Sequence, residues 1–83
     1  MKKSRGRFNI VLRPEPEGGF TVLVPALPGC VTYGRTLLEA KRMAKDAICA
    51  YIESLKKRNE PTPTDDDSLV ASLDLEYAET SRR

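Results

Sequence analysis

Residues 25–55 read PALPGCVTYGRTLLEAKRMAKDAICAYIESL, and their reading decides the fold. A proline-bounded turn leads into a short extended run and then one amphipathic helix. Thr36-Leu37-Leu38-Glu39 fits a capping box. The Thr36 hydroxyl can accept from the Glu39 N–H, and the Glu39 carboxylate can reach back to the Thr36 N–H. Gly34 gives the preceding turn its backbone freedom. Apolar residues then recur at Leu37, Ala40, Ala44, Ala47, Ile48, Tyr51 and Leu55, the spacing of one helical face. Lys56, Lys57 and Arg58 suit the negative end of the helix dipole. Asn59 can take the left-handed cap conformation and Pro61 cannot continue a helix. The pattern predicts one helix from about Leu37 to Arg58.

Outward from that helix the chain reads as strands. Phe8, Ile10 and Leu12 alternate with Arg7, Asn9 and Arg13, which predicts a half-buried strand over 7–13. Pro14 to Gly19 is a hairpin loop, with Gly18 and Gly19 allowing positive φ. Phe20, Val22 and Val24 share one face of a second strand. Pro25 and Pro28 interrupt the ladder, since neither donates a hydrogen bond. Cys30 to Tyr33 is a short third strand. Residues 60–68 form a polar linker of proline, threonine and aspartate. Leu69, Ala71, Leu73, Leu75 and Tyr77 alternate with Val70, Ser72, Asp74 and Glu76, which predicts a fourth strand. The fold class is therefore α+β: two layers in the order β-β-β-α-β, with a mostly antiparallel sheet and one helix. One domain is expected over 1–83, with its core about 7–77 and residues 1–6 and 78–83 as flexible ends.

The chain has 83 residues, 40% apolar and 31% charged, a globular composition with room for one modest core. The net charge of +2 names no partner, but its distribution is uneven. Lys2, Lys3, Arg5 and Arg7 crowd the start, whereas Glu60, Asp65, Asp66, Asp67, Asp74, Glu76 and Glu79 crowd residues 60–79 without a base among them. Cys30 and Cys49 form no CxxC pair and there is no histidine, so a zinc site of four Cys and His ligands cannot be assembled within one chain. Histidine-dependent nucleophilic catalysis is excluded on the same ground. Two-metal hydrolysis needs several carboxylates converging on the sheet, and the first strand carries none. No catalytic residue, metal or cofactor is expected. Cys30 reads as a small buried packing residue rather than a nucleophile. The lack of an export signal or a membrane-spanning run, with unlinked cysteines, leads us to expect a cytoplasmic protein.

In order along the chain stand Glu17-Gly18-Gly19-Phe20, then Pro25, Leu27-Pro28-Gly29-Cys30, Thr32, Gly34 and Thr36, then Glu39-Ala40, Ala44 and Ala47-Ile48. This ordered set resembles the HicB-type antitoxins and their stand-alone relatives, over about residues 8–63. The resemblance implies a partial ribonuclease-H-like fold. It also implies a non-catalytic role, neutralising a HicA-type toxin that is an mRNA interferase. Gly18, Gly19, Pro25, Pro28, Gly29, Cys30, Gly34, Thr36 and Glu39 would be its structural motif.

The sequence departs from the family pattern in three ways. Many members add a helix-turn-helix or ribbon-helix-helix module, and no such module fits the residues after Asn59. The acid often found after the first proline is Ala26 here, and the one before the capping threonine is Arg35. The isoelectric point, about 8.7, is higher than usual for an antitoxin that covers a basic ribonuclease. Those departures favour a stand-alone form. The expected toxin contacts are Asp65, Asp66, Asp67, Asp74 and Glu76, with Tyr33 and Arg35 as second choices. A homodimer or higher oligomer is expected, with Leu38, Cys49 and Ile52 at the interface. The alternative is a domain that binds RNA or DNA through its basic arm and the helix bases Lys41, Arg42 and Lys45. A membrane partner is not expected.

Overall fold

The computed structural model of the chain describes residues 4–80. Three strands, β1 (Val11–Pro14), β2 (Phe20–Leu23) and β3 (Val31–Gly34), precede one helix, α1 (Leu37–Lys57). The strands form an antiparallel sheet in the order β1-β2-β3. The helix packs on β3 and β2, so the fold is α+β in two layers.

Register assigns the two faces. Leu12, Val22 and Thr32 lie side by side across the sheet, and Val22 is fully buried against Ala40 and Ala44 of the helix. Val11, Leu23 and Val31 form the neighbouring row on the opposite face. Val11 and Val31 are 43% and 54% exposed, so that face has no cover.

Small residues let the layers meet. Gly34 faces Ala40, and a Cβ on Gly34 would lie inside contact distance of the Ala40 backbone. Closest approach therefore comes one turn into the helix. Leu37, expected on the core stripe, sits in the turn before it and is exposed.

The segment between β2 and β3 is a second core built on turns. The Leu27 N–H donates to the Val24 carbonyl and the Cys30 N–H to the Leu27 carbonyl, each at 3.0 Å. Proline occupies the second position of both turns, and Gly29 has φ +81°, which the second turn needs at its third position. The Val24 N–H closes the loop on the Cys30 carbonyl at 3.1 Å. The result drives Leu27, fully buried, between Val24 and Cys30, where Phe8, Ile48 and Tyr51 cover it. The Tyr51 hydroxyl then donates to the Pro28 carbonyl at 2.8 Å, tying the helix to the turn.

Both helix ends follow local chemistry. The Glu39 N–H donates to the Thr36 hydroxyl at 3.0 Å, as a capping threonine should. The returning bond differs from the expected box, because the Glu39 carboxylate accepts from Arg35 N–H at 2.6 Å, one residue earlier than Thr36. At the far end Asn59 has φ 59°, with its N–H on the Lys56 carbonyl and the Glu60 N–H on the Leu55 carbonyl. That pair of bonds is a Schellman closure, and it satisfies carbonyls the helix leaves open.

Two expectations need correction. The β1 ladder begins at Val11 rather than Arg7, and residues 7–10 lead into it without sheet pairing. Residues 69–77, expected as a fourth strand, form no ladder, and their apolar side chains are exposed, Leu69 at 94% and Leu73 at 85%. A strand needs an adjacent edge, and after a turn closed by Ser68 N–H on the Asp65 carbonyl the segment pairs with none.

Candidate protein-binding surface

Residues 62–66 return the chain to the start of the domain. The Asp65 N–H donates to the Arg7 carbonyl at 2.8 Å. The Asp65 carboxylate, nearly buried, accepts from Asn9 N–H at 2.8 Å. The neighbouring Asp66 carboxylate accepts from Arg7 N–H at 2.7 Å. That bond, and next one from Thr64, holds the Asp66 carboxyl below its ordinary range. Two of the five acids expected at a partner are thus engaged by this chain's own backbone. Sequence alone gave no signal for this clamp, since its partners lie 56 and 59 residues apart.

Beyond the clamp Asp67, Asp74 and Glu76 are exposed, and among the described residues none makes a hydrogen bond or ion pair. Tyr33 is half exposed, but its hydroxyl donates to the Gly18 carbonyl at 2.9 Å, which pins the β1–β2 turn. Gly19, with φ +81°, packs under that ring where a Cβ would collide with it. Arg35 is exposed beside the helix cap. The acids and the Tyr33–Arg35 turn are therefore not joined in one site by any recorded contact.

An open groove of about 1200 Å³ runs between α1 and residues 4–10. Phe8, Ile10, Ala44, Ile48 and Ile52 give it an apolar lining, Arg5, Arg7, Lys41, Lys45 and Lys56 add bases, and Asp66 adds an acid beside Arg7. Cys49 and Ile52, expected at an interface, both line it. Leu38 does not, although it is 72% exposed. Lys2 and Lys3 of the basic arm lie outside the described residues. Cys30 is buried, and burial raises its thiol pKa, which keeps it protonated and poorly nucleophilic. Among the described residues no three His, Cys, Asp or Glu side chains group as a metal ion would need, and no helix is long and apolar enough to cross a membrane.

The described residues thus present an acidic segment without ion pairs, an uncovered sheet face and an open groove. The model of the HicB-like antitoxins of bacterial toxin–antitoxin systems matches residues 8–81, and the chain belongs to that family. A UPF0150 protein of Thermoplasma acidophilum is 49% identical over 59 residues, covering 71% of this chain and 86% of that one. A UPF0150 protein of Synechocystis sp. is 37% identical over 59 residues, covering 71% and 75%. Antitoxin HicB of Escherichia coli strain K12 is 37% identical over 57 residues, covering 69% of this chain but only 41% of that protein.

Proposed function

We propose that this chain is an antitoxin that acts by binding, not by turnover, and that its partner is a HicA-type mRNA interferase. Family membership supports the class of function. The observation that carries the partner reading is the exposed run from Asp67 to Glu76, whose acids lack partners among the described residues. An acidic extended segment is suited to a basic ribonuclease, by charge and by strand addition. Asp65 and Asp66 then serve to hold that segment in place, while Asp67, Asp74 and Glu76 meet the toxin in the cytoplasm. The test is co-expression with a HicA-type toxin. Growth rescue lost in the combined D67K, D74K and E76K variant supports this contact surface, and rescue left intact overturns it.

The convergence of Arg5, Arg7, Lys41 and Lys45 on one groove favours the second reading, an RNA- or DNA-binding domain. Phosphate contacts need only such charges, and they predict affinity that falls steeply with salt. The groove offers a single aromatic, Phe8, for base stacking, and Asp66 stands among its bases, which ranks this reading below the first.

A further inference from the structure

Residues 69–77 have the pattern of a strand and the exposure of a segment whose partner is missing. Leu69, Ala71, Leu73, Leu75 and Tyr77 would share one face, and all of them are exposed. Such an apolar row is costly to leave in water. β1 is an edge strand, so its outer side offers unpaired backbone groups.

The two surfaces match on both faces. On the helix side, Ile10 and Leu12 lead from the groove into β1, beside the apolar lining of Phe8, Ala44 and Ile48. On the open side β1 presents Val11 and Arg13. A strand laid along β1 with its leucines toward the helix turns Val70, Asp74 and Glu76 to that open side. Val70 then extends the row of Val11, Leu23 and Val31, and the acids come beside Arg13. Arg5 and Arg7 add positive charge at the same margin.

We infer that residues 69–77 add as a fourth strand along β1 of a second copy of this chain, and that two copies exchange these segments reciprocally. Asp65 sets the starting point. Its clamp on Arg7 and Asn9 and the turn to Ser68 fix where the segment leaves the domain, and beyond them 69–77 stay unpaired and exposed in the single chain. Exchange buries both leucine faces and covers both β1 edges in one closed, two-fold assembly. The same segment carries the toxin reading, and the two are compatible because the added strand keeps one free edge and its acids stay on the uncovered sheet face; the test uses this chain alone.

Cys49 lines the groove and is exposed, whereas Cys30 is buried. A tagged chain carrying Cys49→Ala and Leu73→Cys is mixed with untagged wild type, unfolded and refolded together, and treated with a short bismaleimide. Exchange predicts a cross-link between tagged and untagged chains, and light scattering at about twice the 9.3 kDa chain mass. Leu73→Asp with Leu75→Asp should abolish both the doubled mass and protection of 69–77 amides from hydrogen exchange. A mass near 9.3 kDa, with Leu73→Cys joined to Cys49 of the same chain in the single variant, overturns the inference in favour of closure within one chain. A dimer that survives the double aspartate variant overturns it as well.

Discussion

Gly34 and Ala40 are in direct backbone contact, and that contact sets the distance between sheet and helix. A methyl on Gly34 has no space, because its neighbour is main chain rather than the end of a flexible side chain. Gly34→Ala should therefore cost more than its gain in backbone entropy, about 1–3 kcal/mol by overpacking. Denaturant unfolding checks this, and a variant as stable as the parent would contradict the contact.

Thr36→Ala should cost about 1 kcal/mol through loss of the bond from Glu39 N–H. Because the Glu39 carboxylate accepts from Arg35 N–H, Glu39→Ala should add a smaller loss of its own. Thermal melts of the two single variants and the double variant separate these contributions.

Asp65→Ala leaves the Asn9 N–H without its acceptor in a half-buried position. A loss of about 1–3 kcal/mol is expected, with faster amide exchange at Asn9 and at Asp65's neighbours. Unchanged exchange at Asn9 would show that the clamp does not hold in solution.

Asp66 makes stability depend on pH. Its folded carboxyl lies below the ordinary value of 3.8, so the bond from Arg7 N–H contributes fully above that pH. The contribution is lost as pH falls through the lower folded value. Melting temperatures of wild type and Asp66→Asn should differ most near neutrality, and the gap should shrink as pH falls below 3.8. A gap that stays constant with pH would contradict the assignment.

The helix was legible because its signals are local. Thr36 and Glu39, Asn59 and Pro61, and the apolar spacing from Ala40 to Leu55 all act within a few residues. The turns at Pro25 and Pro28 were legible for the same reason. What the sequence did not disclose depends on distant partners. The roles of Asp65 and Asp66 come from the backbone of Arg7 and Asn9, more than 50 positions away, so a run of three aspartates read as a polar linker and as toxin contacts. The alternation of 69–77 predicted a strand that the structure does not form, because a pattern does not say which edge, or whose, would complete the ladder. Leu37 fitted the helical stripe, yet the sheet meets the helix one turn later, at Ala40.

The most direct test of the central claim is RNA cleavage by a purified HicA-type toxin titrated with this chain. The antitoxin reading predicts cleavage falling to background at a fixed molar ratio, together with a complex that co-elutes on gel filtration and is weakened by Asp67→Lys with Asp74→Lys. Undiminished cleavage in the presence of excess chain, with no complex formed, would contradict it.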